Sequence, residues 1–182
     1  MRGQGAAAQP ALTADETRLL EALADRVFPP TDTPGAVDLG AVAYIEHALA
    51  GSYAAHLPGY RRGLRQLRRL ARAEYGRGFL ELADQERDRV VEKLEMAPAA
   101  GGARVIGRRR RGGGGGFFAT VRQHVLEGIF GDPQYGGNRN LTGWKLVGFG
   151  GQRAGYEDAY IDKPLDLDPL AEGWQEPIAN AR

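Results

Sequence analysis

The chain has 182 residues, of which 42% are hydrophobic and 26% are charged, a composition typical of a globular protein and not of a disordered or membrane-embedded one. A formal net charge of +1 argues against a dominant polyanionic partner, so no nucleic acid is expected. No segment approaches the roughly 18 consecutive apolar residues of a membrane-spanning helix. The sequence contains no cysteine, which excludes disulfides, thiolate catalysis and cysteine-ligated iron–sulfur or c-type haem groups.

Residues 1–11 predict a flexible N-terminus, since they hold one arginine, a short alanine run and little else. They lack the charged segment followed by an apolar core of about 7–15 residues that marks a secretory signal. We therefore expect that the chain is not exported by a signal of its own, or that a signal has been removed.

Apolar residues at helical spacing predict a series of helices along the chain. The first begins at a capping box formed by Thr13 and Glu16 and ends at Phe28, because Pro29 disfavours helical backbone before it. The second covers Asp38 to about Leu49, and its core side is predicted to hold Leu39, Val42, Ala43 and Ile45. Further helices are predicted over about 58–75, 84–96, 117–130 and 143–147.

No alternating strand pattern and no internal repeat accompanies these helices. The predicted fold class is therefore all-α: a single helical domain of about five to six helices over 12–160, with long ordered glycine- and aromatic-rich loops near the C-terminus. Within it, the arginine- and glycine-rich tract 107–116 is predicted to be a mobile connector. An irregular acidic tail is expected over 161–182.

The third predicted helix carries a strongly basic face. Nucleic acid or an anionic lipid surface could bind such a face. The alternative, which we favour, is a solvated surface that pairs with acidic neighbours, because no aromatic residue interrupts the arginines. These are Arg61, Arg62, Arg65, Arg68, Arg69 and Arg72.

His124 and Glu127 are the best candidates for chemistry, since they lie three residues apart on the fifth predicted helix. A metal site is not predicted, because no second Glu-x-x-His repeat is present. The catalytic alternative is general acid–base chemistry by His124, which falls near the centre of an apolar face. We favour a buried histidine that donates a hydrogen bond to the loop that follows.

A glycine- and aromatic-rich segment follows this helix. Its glycines do not stand between a strand and a helix, so a nucleotide-binding loop is not predicted. Large aromatic residues in such loops serve either as anchors for a protein partner or as core beneath the loops, and both interpretations stay open. The candidate partner-interface residues are His124, Glu127, Phe130, Asp132, Tyr135, Asn138, Trp144 and Phe149.

Two ordered motifs give the chain a resemblance to the gluconate 2-dehydrogenase subunit 3 family. The first is the segment 27–36, which reads Val-Phe-Pro-Pro-Thr-Asp-Thr-Pro-Gly-Ala. The second consists of His124, Glu127-Gly128, Phe130 to Pro133, Tyr135 to Asn138, Gly143-Trp144 and Gly148-Phe149. Three features depart from the family pattern: no twin-arginine export signal, Gly150 in place of a proline, and the tract 107–116.

The resemblance implies a non-catalytic small subunit that binds an FAD-dependent sugar or polyol dehydrogenase and supports its maturation, stability or export. FAD and the substrate site are implied to lie on the large subunit, a cytochrome c subunit is a further implied partner, and no cofactor or catalytic residue is assigned to this chain. A periplasmic or membrane-associated location through the complex is implied, and otherwise a cytoplasmic one. The alternatives are a stand-alone enzyme using His124 and Glu127, and a polyanion-binding protein using the arginine-rich segments.

Overall fold

The computed structural model describes residues 10–97 and 116–149, and within these ranges the chain is helical and contains no β-strand. Six α-helices are joined by loops that hold four short 3₁₀ helices. The prediction of a single all-α domain is confirmed. The bounds are Ala14–Val27 (α1), Ala41–Ala50 (α2), Leu57–Tyr75 (α3), Asp84–Met96 (α4), Phe117–Phe130 (α5) and Thr142–Val147 (α6).

Three sequence predictions lie wholly or mostly outside the described residues. These are the flexible N-terminus over 1–11, the connector over 107–116 and the acidic tail over 161–182. The position of Gly150 in the closing motif also lies outside them.

Helix α1 begins and ends where local sequence signals place it. The Thr13 hydroxyl accepts a hydrogen bond from the Glu16 amide at 3.3 Å, and the Glu16 carboxylate accepts one from the Thr13 amide at 3.0 Å. This capping box satisfies two amides that the helix leaves without partners. The helix ends before Phe28, ahead of Pro29, as predicted.

Helix α2 starts later than predicted, at Ala41 and not at Asp38. Gly40 has φ +83°, in the left-handed region, and this conformation interrupts helical backbone before Ala41. The Asp38 carboxylate instead accepts a hydrogen bond from the Gly35 amide at 3.1 Å. The core prediction for Ala43 is wrong, because its face of the helix is exposed; the buried residues of α2 are Ala41, Val42, Ile45, Ala48 and Leu49.

Helix α5 is the centre of the packing, since it contacts α1, α2, α3, α4 and α6. Val121, Val125 and Ile129 are fully buried on its apolar face, as the spacing predicts. α5 packs closely against α2, where a methyl group built on Gly128 would stand 2.8 Å from the Ala41 Cα atom. A glycine at position 128 therefore sets how near the two helices come.

The loop of the first motif packs against the end of α5. The rings of Phe28 and Phe130 meet edge to face with their centroids 6.2 Å apart. Ala36 is fully buried, and its amide donates to the Phe28 carbonyl at 2.9 Å. The two motifs, about 100 residues apart in sequence, are thus neighbours in the fold.

Candidate functional site

His124 lies inside a cluster of aromatic rings between α3, α5 and the turn that follows α2. Only 3% of its surface is exposed, and its Nδ1 atom is 2.8 Å from the Tyr60 hydroxyl. The Tyr53 ring stacks on the imidazole at 4.5 Å between centroids, and the His56 ring meets it edge-on at 5.2 Å. The predicted burial is confirmed, but the predicted hydrogen bond to the following loop is wrong, because the partner is Tyr60 on α3.

Burial governs the ionisation of His124 and Tyr60. Desolvation lowers the pKa of His124 below its ordinary value of 6.5, and nearby His56 lowers it further, while the negative charge of Glu127 opposes the shift. Desolvation also raises the pKa of Tyr60, as does Glu127. Both groups are therefore uncharged at neutral pH, and they form a neutral hydrogen bond inside the protein.

Glu127 accepts hydrogen bonds from three side chains. The hydroxyls of Tyr44 and Tyr53 donate to its Oε2 atom at 3.1 and 3.0 Å, and the Gln123 amide donates to Oε1 at 2.8 Å. Burial raises the pKa of Tyr44, and its bond to Glu127 adds to the effect. The carboxylate thus joins α5 to α2 and to the turn after α2.

His124 and Glu127 do not bond to each other, although they are neighbours on the helix. Tyr53 links them, because its ring stacks on His124 while its hydroxyl donates to Glu127. The Nδ1 atom of His124 and both carboxylate oxygens of Glu127 therefore have hydrogen-bond partners inside the protein. This arrangement supports a structural role more directly than a catalytic one.

A surface groove lies on the outer side of the two tyrosines that hold Glu127. Tyr135, from the loop after α5, projects beside it with 56% of its surface exposed. His47 and Ser52 supply polar groups at the edge of the groove. Its lining comprises Tyr44, His47, Ala48, Ala50, Gly51, Ser52, Tyr53 and Tyr135.

Asn138 organises the closing motif that follows α5. Its side chain is fully buried and bridges two backbone groups: Nδ2 donates to the Gly131 carbonyl at 3.0 Å, and Oδ1 accepts from the Gly143 amide at 2.9 Å. Its own amide donates to the Gly128 carbonyl at 2.6 Å. Asn138 has φ +45°, a left-handed conformation that asparagine tolerates better than most residues.

Two glycines of this motif touch the end of α5 with their backbone. A methyl group built on Gly137 would lie 2.1 Å from the Gly128 carbonyl oxygen, and one on Gly143 would lie 1.9 Å from the Ile129 carbonyl oxygen. Neither position can hold a side chain without moving the loop. Close backbone packing therefore accounts for glycine at positions 137 and 143.

The aromatic residues of the motif divide between core and surface. Trp144 is 8% exposed, and its indole N–H donates to the Phe130 carbonyl at 2.8 Å. Phe149 meets Trp144 edge to face at 5.0 Å, yet it keeps 36% of its surface exposed. Asp132 starts the 3₁₀ helix Pro133–Tyr135 by accepting a hydrogen bond from the Gln134 amide at 3.0 Å.

The eight predicted interface residues therefore occupy three neighbouring settings. His124 and Glu127 belong to the aromatic cluster, and Tyr135 and Phe149 reach solvent. The other four hold the closing motif together: Phe130, Asp132, Asn138 and Trp144. A direct role in binding a partner stays a prediction. Sequence reasoning missed Tyr44, Tyr53, His56 and Tyr60, although the spacing of the last three along one segment is a signal for a shared aromatic patch.

Among residues 10–97 and 116–149, no three His, Asp or Glu side chains are grouped so that they could hold a metal ion. In the same ranges, no helix combines the length and the apolar character needed to span a bilayer.

The family model described as gluconate 2-dehydrogenase subunit 3 matches residues 14–151. This match begins with α1, extends past the end of α6 and includes both motifs. No curated protein and no solved structure matches the chain.

Proposed function

Because the chain belongs to the gluconate 2-dehydrogenase subunit 3 family, we propose that it is a non-catalytic small subunit of a dehydrogenase complex. It binds an FAD-dependent large subunit that acts on a sugar, sugar acid or polyol, and it supports the maturation, stability or export of that subunit. The FAD and the substrate site belong to the large subunit, and a cytochrome c subunit completes the electron path. The complex resides in the periplasm or at the membrane.

The closing motif is the observation that carries this proposal. Asn138 and two glycines fix its backbone against α5, while Tyr135 and Phe149 point outward. Large aromatic side chains on a rigid backbone lose little conformational freedom when a partner binds them, and they are enriched at the energetic centres of interfaces. The motif therefore offers the partner a pre-formed surface.

Co-expression with a candidate FAD-dependent dehydrogenase large subunit from the same genome tests the proposal. We expect the two proteins to elute together from a sizing column, and we expect the yield or activity of the flavoprotein to fall when this chain is omitted. Independent elution together with an unchanged flavoprotein would overturn the proposal.

A pair of double variants locates the docking surface. Tyr135→Ala with Phe149→Ala removes the two exposed aromatic residues of the motif, and we expect it to weaken the complex at least tenfold. Leu80→Ala with Met96→Ala is the matched control, because it removes two exposed apolar side chains elsewhere (41% and 82% exposed). Equal affinities for the two double variants would exclude this surface.

The stand-alone enzyme remains the competing hypothesis, and Tyr53 is the observation that bears on it. His124 and Glu127 have the composition of an acid–base pair, and Tyr53 joins them. The His124 Nδ1 atom and the Glu127 carboxylate, however, are hydrogen-bonded within the protein. This hypothesis requires that the purified chain alone turns over a substrate and loses that activity in His124→Ala.

A further inference from the structure

The outer face of α3 carries six arginines, and five of them form no ion pair with residues 10–97 and 116–149. Arg61 forms an ion pair with Glu16 at 3.9 Å and donates to the Ala11 carbonyl at 3.1 Å. The other five are exposed and make no hydrogen bond or ion pair with the residues that the structure describes. The sequence expectation of a solvated face is confirmed, but none of the described acidic residues pairs with the five arginines Arg62, Arg65, Arg68, Arg69 and Arg72.

Several basic residues outside this face are paired with carboxylates. Arg26 of α1 pairs with Asp84 and Asp88 of α4, at 3.1 and 2.7 Å. Lys93 pairs with Glu74, and further carboxylate pairs involve Arg18, Arg77 and Arg87. In the part of the chain that the structure describes, carboxylates thus neutralise several basic groups, whereas five neighbouring arginines on α3 stay unpaired.

Helix geometry aligns the five arginines on one ridge. At about 100° per residue they fall within roughly one third of the helix circumference, and from Arg62 to Arg72 they extend about 15 Å along the axis. No acidic residue occurs between Leu57 and Ala73. The opposite face is buried and consists of Tyr60, Gly63, Leu64, Leu67 and Ala71.

Charge is therefore segregated over the part of the molecule that the structure describes. The described residues hold 15 Lys and Arg and 16 Asp and Glu, so their sum is close to neutral. Apart from the ridge, only ten of these positive charges remain against the same sixteen negative ones. Such a molecule is oriented by an anionic surface even though its net charge is small.

We propose that this arginine ridge, defined as Arg62, Arg65, Arg68, Arg69 and Arg72, binds the anionic phospholipid headgroups of a membrane surface. Guanidinium groups donate two hydrogen bonds at once to phosphate oxygens, so arginine suits this ligand. The apolar face of α3 is buried in the core, and the contact is electrostatic, without insertion into the hydrocarbon. A basic stretch of this kind is attracted to an anionic leaflet.

The surroundings of the ridge favour a flat anionic surface over other anionic partners. Asp15 and Glu81 line a groove beside Arg68 and Arg72, so a nucleic-acid duplex that enclosed α3 in its groove would bring its phosphates against these carboxylates. A flat layer of headgroups can contact the ridge without entering this groove. The ridge itself also lacks exposed aromatic or aliphatic side chains, which protein interfaces place at their centres.

Sedimentation of the full-length chain with lipid vesicles tests the proposal. We expect binding to phosphatidylcholine vesicles that contain about 30% phosphatidylglycerol at about 50 mM salt, and loss of this binding at about 500 mM salt, where the Debye length is only a few ångströms. We expect no binding to pure phosphatidylcholine vesicles. Absence of binding to the anionic vesicles at low salt would overturn the proposal.

Two double variants with equal charge change make the test specific. Arg65→Gln with Arg69→Gln removes two ridge charges, and we expect a 10- to 30-fold weaker partition, from about fivefold per basic residue. Arg89→Gln with Arg122→Gln is the control, because both arginines are exposed on other helices. We expect this double variant to bind the anionic vesicles more tightly than the ridge variant does, and nearly as tightly as the unmodified chain. Circular dichroism and urea unfolding check that both variants fold.

Two results would contradict the lipid assignment. Equal losses in the two double variants would show a response to net charge and not to the ridge. Duplex DNA that binds more tightly than the vesicles and displaces the chain from them would assign the ridge to nucleic acid. Because no flavoprotein is present, a failure here leaves the small-subunit proposal unaffected.

Discussion

Asn138 shows how one side chain can define a loop. Its buried side chain makes hydrogen bonds with two backbone groups, and its left-handed backbone turns the chain back over the end of α5. An aspartate lacks the amide donor for the Gly131 carbonyl, and a leucine lacks both polar groups. The side chain therefore determines the path of the chain as well as its stability.

We expect Asn138→Ala to lower the free energy of unfolding by about 2–4 kcal/mol, since two buried backbone groups lose their partners and the left-handed conformation becomes costlier. Asn140→Ala is the matched control, because Asn140 is exposed and also left-handed, with φ +56°. It should cost about 1 kcal/mol. Urea unfolding measures both values, and similar costs would mean that the buried bonds contribute little.

Trp144 combines packing with one hydrogen bond, and two substitutions separate the contributions. Trp144→Ala should cost about 3–5 kcal/mol, because the indole is 8% exposed and its removal leaves a cavity under Phe149. Trp144→Phe keeps most of the packing and should cost about 1–2 kcal/mol, including the bond to the Phe130 carbonyl. Unchanged thermal unfolding in the alanine variant would show that the ring packs loosely.

At the level of the helices, glycines set the spacing in some places and are replaceable in others. Gly128 faces the backbone of Ala41, which cannot move without shifting α2, whereas a methyl group on Gly59 of α3 would meet nothing within 4 Å. The same substitution should therefore have opposite effects at the two positions.

We expect Gly128→Ala to destabilise the protein by about 1–3 kcal/mol through overpacking between α5 and α2. Gly59→Ala should stabilise it by about 0.5–1 kcal/mol, because alanine restricts the unfolded chain and favours helix. Paired urea titrations measure both changes. A destabilisation of equal size in both variants would contradict the assignment of Gly128 as a spacer.

Helices with local signals could be predicted from sequence, and the site could be predicted only in part. The capping box of α1 and the apolar spacing of α5 are encoded by adjacent residues, and they gave bounds close to those observed. The start of α2 was misplaced because Gly40 adopts a left-handed conformation that sequence spacing does not reveal. The bonds from Tyr44 and Tyr53 to Glu127 span 83 and 74 residues, so they depend on how the helices pack.

For the whole molecule, stability should depend on pH through His124. Burial lowers its pKa in the folded state, so the unfolded chain takes up a proton at a higher pH than the folded chain does. The stability linked to neutral His124 is therefore complete above about pH 6.5, and it is lost as the pH falls from there through the folded pKa. The titratable groups that face it are Tyr53, His56, Tyr60 and Glu127.

Asp25 gives the stability a pH dependence of the opposite sign, and it does so in a more acidic range. Burial raises its pKa above 3.8, and the Val37 amide that donates to it opposes this shift only in part. The stability linked to protonated Asp25 is complete below pH 3.8, and it is lost as the pH rises through the pKa of Asp25 in the folded protein.

Urea unfolding at pH 7.5 and pH 5.5 checks the assignment to His124. We expect the unmodified chain to lose more stability between these values than His124→Gln, whose side chain does not titrate but can still accept a hydrogen bond from Tyr60. Parallel losses in the two proteins would show that other groups dominate the acid sensitivity.

The central position of α5 has a consequence for the order in which the protein can assemble during synthesis. α1 to α4 leave the ribosome before α5, and each of them packs part of its apolar surface against that later helix. Until residues 117–130 emerge, the nascent chain exposes side chains that the finished protein buries, and contacts between distant segments cannot form. A chaperone that binds exposed apolar segments of nascent chains would therefore have most of its binding sites available before α5 is synthesised.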